Sequence, residues 1–117
     1  MTTKGIRGAI TVDKNSADSI REATLELLLE MIDKNSIAPE KISHVIFTTT
    51  KDINAAFPAK YARLEIEGFD EVAMMSFNEL DIENSLPMCL RILIVLNCED
   101  NFKPKFIYLK GAKNLRK

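Results

Sequence analysis

The sequence has few of the side chains that nucleophilic and metal-dependent chemistry require. Its 117 residues include one histidine, His44, and two cysteines, Cys89 and Cys98. On one extended strand these cysteines would lie roughly 30 Å apart, at ~3.3 Å per residue, which is beyond the reach of a disulfide. The sequence contains no Gly-x-Ser-x-Gly motif, no glycine-rich phosphate loop and no zinc-ligand spacing. It therefore predicts no metal, no cofactor and no covalent nucleophile.

Charge of one sign and long apolar runs are also lacking. Sixteen Lys and Arg residues against seventeen Asp and Glu residues give a net charge of −1, so no basic field attracts nucleic acid or membrane. The longest purely aliphatic run is 92–96, far shorter than the ~20 residues of a membrane span. The first residues carry no signal-peptide pattern. We expect a single cytoplasmic domain in which any anion site is built locally.

Hydrophobic periodicity predicts the element order β-α-β-α-β-β-β. Apolar residues recur with helical spacing after the Asn15-Ser16 cap, which predicts one long amphipathic helix that ends near Asn35-Ser36. Pro58 suits the first turn of a short helix. The predicted elements are strands near 6–12, 42–50, 71–75, 86–96 and 105–109, and a short helix over 58–63. This order predicts an α+β domain with a mixed sheet and one long packed helix.

Arg91 is the only charged residue in the most apolar part of the chain, 86–96. The Ile, Leu and Val content of this run, which Pro87 precedes, predicts a core strand. On it, Arg91 shares a face with Cys89 and Leu93. Burying an unpaired guanidinium is costly, and arginine cannot lose its proton. Arg91 therefore pairs with an acidic side chain, reaches solvent or binds an anion, and taken alone it favours a structural salt bridge.

Further arginines occupy the predicted elements. Arg7 lies on the first strand, Arg63 on the short helix and Arg116 in the tail. Arginine binds carboxylates in a bidentate manner. Several cations with few carboxylates nearby predict a small polyanionic ligand, and composition alone goes no further.

Four segments in register resemble the monofunctional chorismate mutases of the trimeric Bacillus type. The first is Gly-Ile-Arg-Gly-Ala at 5–9, and the second is Asn-Ala-Ala-Phe-Pro-Ala-Lys-Tyr-Ala-Arg at 54–63. The third joins Glu-Leu-Asp at 79–81 to Ser-Leu-Pro-Met-Cys-Leu-Arg at 85–91, and the fourth joins Ile-Tyr-Leu at 107–109 to Leu-Arg at 115–116. Together these segments span nearly the whole chain.

The resemblance implies an isomerase that converts chorismate to prephenate by an intramolecular rearrangement. Such a reaction needs no nucleophile, because the enzyme holds one conformer and stabilises the charge that develops on the ether oxygen. The resemblance also implies a chorismate-mutase-like fold with ferredoxin-like topology and a homotrimeric pseudo-barrel with active sites between subunits. Residues 1–117 would form one domain with a mobile tail at 111–117.

The same resemblance implies roles for individual residues. Arg91 would face the ether oxygen, Arg7 and Tyr108 would bind a carboxylate, and Glu79 would accept a hydrogen bond from the ring hydroxyl. The expected substrate-binding residues are Phe57, Ala59, Lys60 and Arg63 from a neighbouring subunit, Met75 and Ser76 in the wall, and Leu115 and Arg116 in the tail. Ser76 stands where relatives often have cysteine, and its hydroxyl can donate to Glu79 or to the substrate.

Two other functions remain open at this point. A trimeric sensor could keep an arginine-lined pocket for small carboxylates without turnover, and an enamine/imine deaminase of similar fold could grip a carboxylate with an interfacial arginine. The combination of Arg7, Glu79, Arg91 and Tyr108 favours the mutase, because a sensor has no need of a carboxylate beside that cation. The apolar content alone would equally satisfy an isologous dimer.

Overall fold

The computed structural model describes residues 1–115 and has the element order that the sequence predicts. The elements are β1 (Thr2–Thr11), α1 (Ala17–Asn35), β2 (Ile42–Thr49), α2 (Pro58–Glu65), β3 (Ala73–Asn78), β4 (Cys89–Cys98) and β5 (Ile107–Leu109). The five strands form one sheet in the order β3-β2-β4-β1-β5. Strand β4 is antiparallel to β1 and β2, whereas β3 is parallel to β2 and β5 is parallel to β1. The predicted α+β class with a mixed sheet is confirmed.

Helix α1 begins and ends where its capping residues predict. The Ser16 side chain accepts a hydrogen bond from the backbone N–H of Ser19 at 3.2 Å, which satisfies one free donor of the first turn. At the other end, Ser36 adopts a left-handed conformation with φ 51°, and its N–H bonds the carbonyls of the last turn. The buried face consists of Ile20, Ala23, Thr24, Leu27, Leu28, Met31 and Asn35.

Gly8 lets α1 approach β1 closely. A Cβ atom at this position would lie 2.5 Å from Met31 Sδ and 3.1 Å from Leu27 Cδ1. Atoms at the first of these distances overlap, so a larger residue at this position would displace the Met31 side chain from its place against the strand.

Three strand boundaries were predicted too early. Strand β4 begins at Cys89 rather than at 86, because Met88 before it adopts a left-handed φ of 50°, which an extended strand does not use. Strand β3 begins at Ala73 rather than at 71, because Phe69–Glu71 form a 3-10 turn whose first residue is fully buried. Strand β5 begins at Ile107 rather than at 105. The backbone of Lys105 is bound instead by the Asn35 side chain, which donates to its carbonyl at 2.9 Å and accepts from its N–H at 2.8 Å.

Both helices lie on the same face of the sheet. Alternate residues of β4 are buried, from Leu90 to Leu96, while Arg91, Leu93 and Val95 between them are half-buried, as the predicted alternation requires. We call the helix-covered side the closed face and the other side the open face. The molecule measures 39 × 33 × 20 Å, the dimensions of one sheet with one layer of helices. No helix within residues 1–115 is long and apolar enough to cross a membrane.

Candidate active site

A row of directly paired residues crosses the open face and carries most of the candidate site. Thr48 on β2 pairs with Arg91 on β4, Arg91 pairs with Ala9 on β1, and Ala9 pairs with Tyr108 on β5. Residues that pair directly across strands place their side chains on the same face. Because Ala9 has a small side chain, it leaves space between the Arg91 guanidinium and the Tyr108 ring.

Glu79 lies at one end of this row and contacts two of its members. Its Oε2 atom accepts a hydrogen bond from Thr48 Oγ1 at 2.6 Å and lies 3.4 Å from Arg91 Nε. The backbone N–H of Glu79 donates to the carbonyl of Thr49 at 2.9 Å, which fixes the residue beside the end of β2. The Arg91 and Glu79 side chains are 29% and 24% exposed, so a ligand can reach both.

Two polar atoms of the site are buried without a hydrogen-bond partner among residues 1–115. They are Nε of Arg91, whose contact with Glu79 is an ion pair without hydrogen-bond geometry, and the hydroxyl of Tyr108. An unsatisfied buried donor costs about 1–3 kcal/mol. Such a cost at two neighbouring groups is typical of a site whose ligand completes the hydrogen bonding.

These groups line a cavity of about 260 Å³. Its walls are formed by Arg7, Gly8, Ala9, Ile46, Thr48, Glu79, Arg91, Ile92, Leu93, Tyr108 and Leu115. The sequence singled out five of these residues as functional: the four candidate catalytic residues and Leu115. Arg7 is exposed. It lies two residues before Ala9 on β1, where it pairs with Leu93 of β4.

Leu115 already contacts the wall of this cavity. It packs against the buried cluster of Ala9, Cys89 and Ala112, as Tyr108 does, and Ala112 is completely buried. Arg116, the other predicted tail residue, lies outside the described residues. The predicted mobility of 111–117 stays a prediction.

The remaining predicted residues form a separate depression on the same chain. Phe57, Ala59, Lys60 and Arg63 come from α2 and the residue before it, and Met75 and Ser76 come from the edge strand β3. The depression has a volume of about 460 Å³ and shares no lining residue with the first cavity. The structure therefore divides eleven of the twelve predicted residues into two groups, and the twelfth, Arg116, lies outside the described residues.

Local contacts explain why α2 presents its cations to solvent. Asn15 Oδ1 accepts from the N–H groups of Asn54 and Ala55 at 2.9 and 3.0 Å, which orders the loop before the helix. Pro58 occupies the first helical turn, where its missing N–H costs nothing. Lys60 and Arg63, three residues apart, are both exposed.

The site offers no nucleophile or metal ligands within residues 1–115. Cys89 is fully buried beside Arg91, and burial raises the pKa of its thiol, with Arg91 opposing that shift. The thiol therefore stays protonated at neutral pH. Both cysteines are free, and the part of the chain that the structure describes contains no group of three His, Cys, Asp or Glu side chains that could hold a metal ion. What the cavity supplies is cations, hydrogen-bond donors and one carboxylate.

Comparison with known proteins agrees with a site made of cations, hydrogen-bond donors and one carboxylate. A family model described as chorismate mutase type I matches residues 3–117. The chain belongs to the type I chorismate mutases. Among curated relatives, chorismate mutase AroH of Thermus thermophilus is 41% identical over 115 residues, which cover 97% of this chain and 93% of that protein. Chorismate mutase AroH of Bacillus subtilis is 32% identical over 117 residues, with 99% and 91% covered.

A solved structure shows that the likeness extends to the fold. A chorismate mutase from Clostridium thermocellum is 44% identical to this chain and superimposes with a TM-score of 0.88. The match covers 95% of this chain and 98% of that one. The resemblance that four sequence segments indicated is thereby confirmed for the family and the fold.

Sequence reasoning about this chain missed Thr48, which lines the cavity, and Asp52, which binds the residue before β4. Thr48 bonds Glu79 directly, although a threonine within a β-branched strand gives no signal of its own. Asp52 accepts hydrogen bonds from Thr50 Oγ1 at 2.5 Å and from the N–H of Met88 at 3.0 Å, and Met88 adopts a left-handed φ of 50°. The donation from Thr50 is the main cause that lowers the pKa of the Asp52 carboxyl.

Proposed function

We propose that this protein is an isomerase that converts chorismate to prephenate by an intramolecular Claisen-type rearrangement. This step leads towards phenylalanine and tyrosine. The observation that carries the proposal is the cavity in which Arg91 Nε and the Tyr108 hydroxyl are buried without partners among residues 1–115, next to the Glu79 carboxylate. The family and the names of its relatives support the same activity.

The rearrangement breaks a carbon–oxygen bond and forms a carbon–carbon bond within one molecule. As the bond breaks, negative charge develops on the ether oxygen and positive charge on the ring. Arg91 stabilises the first, because a fixed cation in a partly dry site acts without reorganisation. Glu79 complements the second and accepts a hydrogen bond from the ring hydroxyl. No protein group forms a covalent bond or transfers a proton.

Binding of the two carboxylates selects the compact conformer in which the reacting carbon atoms meet. Arg7 and Tyr108 bind one carboxylate from the open face of the sheet. Lys60 and Arg63 supply cations from the second depression. The wall of that depression is formed by the apolar residues Phe57, Ala59 and Met75 and the polar residue Ser76. Leu115 closes the cavity from the tail, and Arg116 follows it. Holding reactive atoms at contact distance contributes several kcal/mol to the barrier reduction.

The proposal includes a homotrimer, because the two depressions of one chain share no lining residue. A cavity of one subunit that faces the α2–β3 edge of the next would unite all the proposed residues. Exposed apolar side chains on β3 support such an interface, since Met75 and Phe77 are 62% and 48% exposed. We place this single catalytic domain, 1–117, in the cytoplasm.

The decisive experiment follows the ultraviolet absorbance of chorismate after addition of purified protein. We expect the absorbance to fall and prephenate to appear in equal amount. The same preparation of Arg91→Ala should be nearly inactive, which excludes a contaminating mutase. Binding of chorismate without conversion would refute the enzyme proposal in favour of a sensor.

A further inference from the structure

We infer that Thr48 is a positioning residue for Glu79, and that its hydroxyl holds the carboxylate in an orientation in which one oxygen faces Arg91 and the other is free for a ligand. The inference rests on the proposed function for its kinetic consequences. Its structural part, the orientation of the Glu79 carboxylate, stands on the contacts alone.

The contact between Thr48 and Glu79 is short and joins distant parts of the chain. Oγ1 of Thr48 donates to Oε2 of Glu79 at 2.6 Å across 31 residues of sequence. Hydrogen bonds to a charged group are stronger than those between neutral groups. The donor is half-buried on a central strand, where the β-branched side chain has restricted rotamers. A fixed donor of this kind can hold a flexible glutamate in one orientation.

The same oxygen atom faces the arginine. Oε2 lies 3.4 Å from Arg91 Nε, and Thr48 is the residue directly paired with Arg91 across the sheet. The ion pair lacks hydrogen-bond geometry, so it does not determine the orientation of the Glu79 carboxylate. The Thr48 hydroxyl therefore supplies the directional contact. With Oε2 held in this way, Oε1 remains for a ligand, since no other contact within residues 1–115 engages it.

Ser76 was the hydroxyl that the sequence suggested for this task, but it lies elsewhere. Ser76 pairs with Phe47, so it is on the closed-face side of the edge strand, and it lines the second depression. Its neighbours on β3, Met75 and Phe77, share the open face with Ile46 and Thr48. Within one chain, Thr48 is thus the hydroxyl in reach of Glu79.

The variants Thr48→Val and Thr48→Ser separate the hydroxyl from the shape of the side chain. Valine keeps the branched shape and removes the donor, whereas serine keeps the donor. A matched control is Thr3→Val, because Thr3 Oγ1 also bonds a side chain on a neighbouring strand, Asn97 Oδ1 at 2.9 Å, away from the cavity.

For Thr48→Val we expect kcat to fall roughly 10- to 100-fold, the worth of one hydrogen bond to a charged group. KM should change less, because the ring charge that Glu79 complements is larger in the transition state. Thr48→Ser should stay within about threefold of wild type, and Thr3→Val should match wild type. A folded Thr48→Val enzyme with wild-type kcat, or a loss that serine does not rescue, would overturn the inference.

A crystal structure of Thr48→Val tests the positioning without any assay. We expect the Glu79 carboxylate to leave its place beside Arg91 Nε or to occupy more than one conformer. A carboxylate that superimposes on its wild-type position would reject the role of Thr48. If wild-type protein fails to convert chorismate, the proposed function fails, and this structure still decides the inference.

Discussion

The two faces of the sheet are built from the same strands, but one is buried under the helices and the other carries the polar groups of the cavity among partly exposed apolar residues. On the closed face, side chains such as Ile10, Val45 and Ile94 are completely buried under the helices. On the open face, the same strands present Thr48, Arg91 and the other polar groups of the cavity. Since strand residues alternate between faces, one strand can supply both stability and chemistry. Substitutions on the two faces should therefore have separable effects, on unfolding for one and on turnover for the other.

The largest expected effect on the open face is that of Arg91→Ala. Removing a cation that faces developing negative charge should lower kcat by at least ~10²–10³-fold, the scale for one donor lost from an oxyanion site. Arg91→Lys keeps the charge without the planar guanidinium and should recover only part of the rate. Steady-state kinetics and a melting curve on the same preparation provide the measurement.

The melting temperature of Arg91→Ala should change little, because its contact with Glu79 is partly exposed and lacks a hydrogen bond. A structural salt bridge predicts the reverse. In that case the melting temperature of the variant would be lowered, and the protein that remains folded would have a normal kcat.

Leu27→Ala provides the matching test on the closed face. Leu27 is completely buried against β1, so the substitution should lower the free energy of unfolding by about 2–5 kcal/mol. Chemical denaturation measures this change. At a temperature where the variant remains folded, kcat should stay near the wild-type value. A large loss of kcat without loss of stability would mean that the two faces are not separable.

The comparison also marks what the sequence can predict. Helix α1 was predicted at both ends, because Ser16 and the Asn35-Ser36 pair act locally. The orientation of Arg91 followed from alternation along one strand. Pairing between strands is a property of distant segments, so the row from Thr48 to Tyr108 could not be read from composition or periodicity. The resemblance supplied candidate site residues, but the division into two depressions required the structure.

Arg7→Ala should have a smaller effect, and mainly on substrate binding. A carboxylate carries its charge in both the ground and the transition state, so loss of Arg7 should raise KM more than it lowers kcat. We expect a rise in KM of roughly tenfold, the lower range for a charge-assisted hydrogen bond. Initial rates over a wide range of chorismate concentration separate the two constants. A loss confined to kcat would contradict the assigned role.

The smallest expected effect is the pH dependence contributed by Asp52. Its lowered pKa in the folded protein means that the ionised carboxylate stabilises the fold above the ordinary aspartate pKa of about 3.9. This contribution is lost as the pH falls through the lowered value. Asp52→Asn should therefore reduce stability at pH 7 by at most about 1 kcal/mol, because the residue is exposed.

In acid, below the lowered pKa, the melting curves of Asp52→Asn and wild type should converge. A stability difference that stays constant from neutral to acid pH would show that the Asp52 charge takes no part.

The most direct test of the account is complementation between the two depressions. Arg91→Ala and Lys60→Ala subunits carrying different affinity tags are coexpressed, and mixed oligomers are purified through both tags. If each site combines the open-face cavity of one chain with the α2–β3 edge of the next, one of the three sites in every mixed trimer is intact. At chorismate concentrations far below KM, where loss of Lys60 also slows turnover, we predict activity above that of either variant alone. Mixed oligomers no more active than the parents would contradict a site shared between two chains.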